Sequence, residues 1–269
     1  MGVPVVVPSY RRERCLTRKT LPLLYDRGVD PADVTIVVGT GPERDSYAEA
    51  IRDAGLRQPG QIAISLAPGS IRDTRNFIAT TWRGEIIEVD DDLTDVMRYV
   101  DPKTTEPVKD LPALFAEGFA VARNVGATLW GIYPVPNPYF MRPGVVTDLR
   151  YIEAGIFGTT LTGEPYQLVT LDDKEDYERS IRHYLHDGVI ARIDWYTFRA
   201  NYYTEPGGLQ ETRTPERIDW SARELARRYP DLASVNTAKK SRPYTEVRLR
   251  DSRKPHERDP LADRRRAAL

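Results

Sequence analysis

An α/β fold built on a mostly parallel sheet is predicted by three features of the first hundred residues. Short β-branched runs recur at Val5-Val6-Val7, Val34–Val38, Ile62–Leu66 and Glu85–Val89. Stretches of helical length separate them, and glycine or proline marks the joins at Gly28, Pro42 and Gly55. Strands alternating with helices in this way call for right-handed crossovers, which lay the strands side by side and parallel.

The elements follow in order. Val5-Val6-Val7 ends at Pro8-Ser9-Tyr10 and leads into a helix over about Glu13 to Arg27, stopped by Gly28, with Pro22 as its expected kink. Pro42 opens a second helix through Tyr47, Ala50 and Ile51. Arg72 to Thr81 reads as a third helix, and the strand after it runs into Asp90-Asp91-Asp92. Asp110 is placed to cap a helix carrying Leu114, Phe115 and Phe119. Ala127 to Tyr133 reads as a strand, and Pro134 to Pro143, rich in proline and aromatics, as an ordered loop. Glu175 to Leu185 has helical spacing and a stop at Gly188, and Ile190 to Phe198 alternates as a strand. Thr214-Pro215 starts a helix that keeps Ile218, Ala222, Leu225 and Tyr229 on one face, and Tyr244 to Leu249 is the last strand. Residues 1–250 are expected to form one domain, with 251–269 as a flexible charged tail.

Composition narrows the function classes. The 40% hydrophobic and 29% charged content is that of a globular protein. A net charge of -1 argues against bulk attraction to nucleic acid and leaves room for a local basic face. Cys15 is the only cysteine, which excludes an internal disulfide and a cysteine-based metal cluster. No signal peptide or membrane-length apolar run is found, so a cytoplasmic protein without membrane attachment is expected.

Three clusters could carry chemistry. Asp90-Asp91-Asp92 follows a largely apolar strand, where ligands of open parallel sheets bind. Asp90 and Asp92, at i and i+2, can hold a hard divalent cation that takes its other oxygens from a diphosphate. The alternative for Asp92 is a cap on a helix beginning at Leu93-Thr94. Arg72, Arg75 and Asn76 share a helix face and could reach a base and phosphates, or form a solvated, salt-bridged face. Pro8, Tyr10 and Arg11 would line a nucleotide pocket at the end of the first strand, or make a plain turn.

A first strand ending in Pro8-Ser9-Tyr10-Arg11, a helix carrying Arg75-Asn76 and a strand running into Asp90-x-Asp92 resemble the GT-A glycosyltransferases over the first hundred residues. The resemblance implies a GT-A-like, Rossmann-type sheet and a nucleotide-sugar donor, a UDP-sugar, with Mn²⁺ or Mg²⁺. Residues 1–100 then serve the nucleotide-sugar, Asp91 included, and 101–250 the acceptor. It also implies a general base in the Glu175-Asp176 pair, Asp176 first, the alternative being acid at a helix N-terminus. His186 is an added candidate ligand for the donor metal, or else a surface or packed histidine. Trp130 to Asn137, Glu175 to Ser180, Asp187 to Arg192, Gly207-Gly208 and Tyr229-Pro230 are similar to the TET/JBP-associated glycosyltransferases of bacteriophages. That similarity implies transfer of a sugar to the hydroxyl of 5-hydroxymethylcytosine in DNA, inside a phage-infected host cell.

A DNA acceptor needs phosphate contacts and a way to hold a base. Arg142, Arg150, Arg192, Arg199, Arg213, Lys239-Lys240 and Arg264-Arg265-Arg266 could supply charge. Tyr139, Phe140, Trp195 and Tyr196 could stack on a base, or pack in the core. Gly207-Gly208, after Tyr202-Tyr203-Thr204, reads as a loop that closes over a substrate or as an ordinary turn. A GT-A enzyme acting on a protein, polysaccharide or small-molecule hydroxyl is the first alternative. A sugar nucleotidyltransferase, which wants a glycine-rich loop where Pro8-Ser9-Tyr10-Arg11-Arg12 has none, and a non-catalytic nucleotide-binding module are the others.

Overall fold

The β-branched runs become strands because the sheet they build is covered on both faces. A computed structural model describes residues 2–67, 69–200, 207–208, 213–236 and 245–254. Within it β1 (Val5–Pro8), β2 (Val34–Val38), β3 (Gln61–Ile64) and β4 (Gly84–Val89) pair in parallel, in the order β3-β2-β1-β4. The helices α1 (Glu13–Arg18), α2 (Thr20–Asp26), α3 (Gly41–Asp53) and α4 (Ile71–Thr81) make the crossovers. From β1 the chain adds β2 and β3 on one side and β4 on the other. That reversal opens a crevice beyond the carboxyl ends of β1 and β4, where ligands bind in such sheets.

Two local expectations are corrected. The helix over 13–27 is broken at Lys19, with φ -125° and ψ -80°, rather than kinked at Pro22. Pro22 falls in the first turn of α2, where an N–H would have no helical acceptor, so its ring interrupts nothing. After the acidic triplet no helix begins. Leu93–Asp101 is a strand, β5, which turns back into β6 (Thr104–Pro107). The β-branched and aromatic residues Val96, Tyr99 and Val100 suit a strand, and Asp92 caps nothing.

The second half completes the sheet. Asp110 caps α5 (Leu111–Val125) by accepting from the N–H of Ala113 at 2.9 Å, and Gly126 ends it in the left-handed region. Then come β7 (Leu129–Tyr133), the short β8 (Val145–Val146), β9 (Ile156–Leu161), α6 (Glu175–Asp187), β10 (Ala191–Ala200), α7 (Pro215–Arg228), β11 (Ala233–Asn236) and β12 (Glu246–Leu249). The long sheet runs β3-β2-β1-β4-β9-β7-β10-β5-β6, with β9 and β5 antiparallel to their neighbours, and β11 and β12 form a separate pair. This is a mixed α/β architecture with a mostly parallel central sheet flanked by helices.

Side-chain alternation divides the core. Val5 and Val7 pack with Leu16, Leu24, Tyr47 and Phe119, while Val6 and Ile86 pack with Ile78 on the opposite face. Phe157, Ile181 and Leu225 build a third cluster under α6 and α7. Trp130 sits fully buried in a slot between Gly118 and Gly158. An added Cβ would lie 2.4 Å from its ring at Gly118 and 2.1 Å at Gly158. Part of the expected free tail is tied down, since Ser252 N–H donates to Asp231 and Asp251 accepts from Tyr184. Residues 255–269, Lys239-Lys240 and Tyr202-Tyr203-Thr204 lie outside the described residues.

Candidate active site

A cleft of about 920 Å³ opens at the β1/β4 crevice and is walled opposite by the N-terminal end of α6. Its floor is the Asp90-Asp91-Asp92 turn. Thr20 fixes that turn, with its hydroxyl donating to the Asp90 carbonyl at 2.9 Å and accepting from the Leu93 N–H at 3.0 Å. The three carboxylates then do different things. Asp90 accepts from Arg75 at 3.0 Å and keeps 30% side-chain exposure. Asp91 is buried and held by the Ser9 hydroxyl at 2.5 Å and Arg12 at 3.1 Å. Asp92 lies 3.4 Å from Arg12 through Oδ2, while its buried Oδ1 has no protein partner.

Crowding three acids together, two of them buried, raises their pKa values. Burial pushes Asp91 up to about 6, against the pull of Arg12, and pushes Asp90 and Asp92 upward as well. The orphaned, buried Asp92 oxygen fits a divalent cation. Among the described residues no three His, Cys, Asp or Glu side chains converge on one point, so the protein alone would not complete its coordination. That donor set suits an ion that takes its other oxygens from a diphosphate and water.

The nucleotide-side candidates separate. Pro8 and Tyr10 line the cleft. Arg75 lines it too, buried, with one guanidinium nitrogen on Glu88 at 2.7 Å and the other on Asp90. Arg11 does not line it. Its backbone is left-handed at φ 51° and its guanidinium lies over the Tyr10 ring, 5.0 Å from the centroid. Arg12, one residue on, is the arginine that reaches the acidic turn, and Tyr47 of α3 anchors this bend by accepting from the Arg12 N–H. Gly207 packs against the same bend at φ 85°, where a Cβ would fall 2.2 Å from the Arg11 carbonyl, and Gly208 N–H donates to the Tyr10 carbonyl.

Arg72 and Asn76 also stay out of the cleft. Arg72 pairs with Asp73, and Asn76 exchanges hydrogen bonds of 2.9 and 2.8 Å with the backbone of Val169. Asn76, together with the Arg72 backbone N–H that donates to Asp172 at 3.3 Å, joins α4 to the segment ahead of α6. His186 is not a ligand for a metal at Asp90 and Asp92. It stacks on Tyr166, beside Asp187 and Glu164, at the far end of α6. It lies eleven positions after Glu175 on the helix, about 16 Å along the axis.

Across the cleft α6 begins after Lys174, which is left-handed at φ 67°. Glu175 is 3% exposed, and burial pushes it up to about 7. The Asp176 charge raises it further, while Arg213, Arg75 and Arg179 pull it down. Asp176 accepts from the Tyr151 hydroxyl at 2.5 Å, and Tyr151 stacks on Tyr177 with centroids 4.1 Å apart. Asp173 and Arg213 pair at 2.7 Å on the same wall. Ser9, Arg12, Tyr151 and Asp173 are site residues that sequence reasoning missed. A second arginine after Tyr10 was the one visible signal among them.

Of the aromatic candidates, Tyr139 and Phe140 are 65% and 55% exposed; they follow the cleft-lining Pro134-Val135-Pro136 in sequence and do not line the cleft themselves. Trp195 and Tyr196 are both bonded to Glu117 of α5 and do not line it. Arg192 is paired with Asp194, and Arg142 donates to the carbonyls of Tyr139 and Met141. No helix among the described residues is long and apolar enough to cross a membrane.

No protein-family model and no curated protein matches the sequence. Solved structures do match. The mannosyltransferase PcManGT from Pyrobaculum calidifontis, in complex with GDP-Man and Mn²⁺, is 11% identical at a TM-score of 0.52, covering 84% of this chain and 64% of that one. S. aureus TarS 1-349 is 14% identical at a TM-score of 0.48, and 0.49 in complex with UDP-GlcNAc. Those matches cover 84% of this chain and 66% and 67% of TarS 1-349. The chain thus spans about two thirds of the length of these structures. At this identity the likeness is one of fold, and the fold of the chain is GT-A-like.

Proposed function

We propose that the protein is a glycosyltransferase that moves a sugar from a UDP-sugar to a hydroxyl acceptor, with Mn²⁺ or Mg²⁺ at Asp90 and Asp92. One observation carries the reading. A buried acidic turn with an unpartnered Asp92 oxygen faces a carboxylate pair, Glu175 and Asp176, across a single cleft at the sheet's switch point. A bound cation would offset the charge that develops on the leaving nucleoside diphosphate. Tyr10 and the α4 N-terminus border the space for the nucleotide, and the helix end favours phosphate there. Arg75 holds Asp90, and Arg12 holds Asp91 and approaches Asp92, so the acidic turn is set before donor arrives. Asp176, oriented by Tyr151, takes the proton from the acceptor hydroxyl. A base on the far side of the anomeric carbon from the leaving group gives inversion.

The acceptor we propose is the hydroxymethyl group of 5-hydroxymethylcytosine in DNA. The resemblance of residues 130–250 to the TET/JBP-associated enzymes supports it, as does the exposed Tyr139-Phe140 pair, which follows the cleft-lining Pro134-Val135-Pro136 in the chain and offers a base a stacking surface. The test is transfer from a panel of UDP-sugars, with Mn²⁺, to duplex DNA containing cytosine or 5-hydroxymethylcytosine, read as nucleoside mass after digestion. A mass gain of one sugar on the hydroxymethylated DNA alone is expected. UDP-sugar hydrolysis with no gain on either DNA would move the acceptor to a protein, polysaccharide or small molecule.

A further inference from the structure

A second cleft, of about 430 Å³, is lined by three arginines, Arg150, Arg248 and Arg250. Two stretches of chain join the clefts. Tyr151 and Glu153 line the main cleft, and Arg150 lines the second. Glu246 lines the main cleft, and Arg248 and Arg250 continue the same stretch into the second. Alternate residues of a strand lie about 7 Å apart. The first of these guanidiniums therefore starts within a side chain's length of the main cleft's rim.

The backbone that carries them is fixed. Val247 is 7% exposed and packs into the core under α6 and α7, so its neighbour Arg248 points away from that core. Arg248 is in register with Ser234 on β11, and the Arg250 N–H donates to the Leu232 carbonyl at 2.9 Å. The acids nearby are largely committed. Asp251 accepts from Tyr184 and pairs with Arg253, both at 2.9 Å. Asp148 is 67% exposed and lies 3.8 Å from Arg150. Among the described residues neither Arg248 nor Arg250 has a carboxylate partner. Two guanidiniums without a carboxylate partner among the described residues, one on β12 and one just past its end, beside a stretch of chain that leads into the main cleft, match a chain of phosphates.

We propose that this second cleft holds the phosphodiester backbone of a DNA acceptor, next to the nucleotide whose base enters the main cleft. The inference rests on the DNA reading of the acceptor. Its test is binding of a labelled duplex containing only cytosine, followed by fluorescence anisotropy across a salt series, so that no transfer is needed. Each phosphate contact contributes about 0.9 to the slope of log affinity against log salt. Arg248→Ser with Arg250→Ser should lower that slope by about 1.8 and weaken binding on the order of tenfold or more. The double lysine variant should keep the slope, and UDP affinity should be unchanged in both. A serine variant with wild-type slope and affinity overturns this inference alone. Wild-type protein that binds no DNA overturns the DNA acceptor together with it. Binding of inorganic polyphosphate through these arginines, without DNA, would assign the cleft to another phosphate-rich acceptor and overturn the proposal as stated.

Discussion

Glu175→Gln should make the protein more stable above neutral pH while damaging its proposed function. The carboxyl of Glu175 is 3% exposed, and its burial raises it from an ordinary value of 4.5 to about 7. A raised carboxyl is penalised only when ionised. The penalty is absent below about 4.5, grows through the interval and is complete above about 7. One pH unit of displacement is worth about 1.4 kcal/mol, so the full cost is on the order of 3–4 kcal/mol. Glutamine has the shape of the protonated acid and escapes the cost. Urea unfolding of both proteins should therefore give similar stabilities near pH 5 and a growing advantage for the variant up to pH 8. An equal gap at both pH values, or a less stable variant at pH 8, would show that ionising Glu175 carries no such cost. A buried acid kept at this cost beside Asp176 is what a functional carboxylate pair looks like.

The remaining predictions concern the site and the core. Asp92→Ala should abolish metal-dependent turnover of UDP-sugar and leave the thermal midpoint within a few degrees of wild type, because only one contact of 3.4 Å is lost; retained turnover removes Asp92 from the metal. Asp176→Asn should keep UDP-sugar affinity and reduce transfer by about 10²- to 10⁴-fold, the range for losing a general base; an unchanged transfer rate takes Asp176 out of that role. Gly158→Ala puts a methyl 2.1 Å from Trp130 Nε1 and should destabilise by about 1–3 kcal/mol, seen as a lower thermal midpoint; an unchanged midpoint shows that the slot can relax.

The parallel half of the fold was legible because each of its strands is a β-branched run with a clear stop. The same patterning located α5, α6, α7 and β10. What escaped was pairing without local punctuation. β9 carries glycine and threonine, and β5 follows the acidic turn directly, so neither stands out from its surroundings. The site divides in the same way. Asp90, Asp92, Glu175 and Asp176 sit at element ends, where sequence position alone says what they face. Arg11 and Arg12 could not be told apart, since a left-handed backbone at Arg11 decides which one points inward. Arg72, Arg75 and Asn76 share a helix face, yet only Arg75 borders the cleft, because Asn76 is used by Val169 and Arg72 by Asp73. Tyr151 lies in an irregular segment, and no periodicity could have placed its hydroxyl on Asp176.

The central claim is that the β1/β4 crevice takes a nucleotide diphosphate and a cation at the acidic turn. Crystals grown with UDP and Mn²⁺, measured for anomalous scattering, test it most directly. An anomalous peak is expected between the diphosphate and the carboxylates of Asp90 and Asp92, with the nucleoside beside Tyr10. A cleft that stays empty at saturating UDP and Mn²⁺, or a nucleotide bound elsewhere with no metal at these two aspartates, would contradict it.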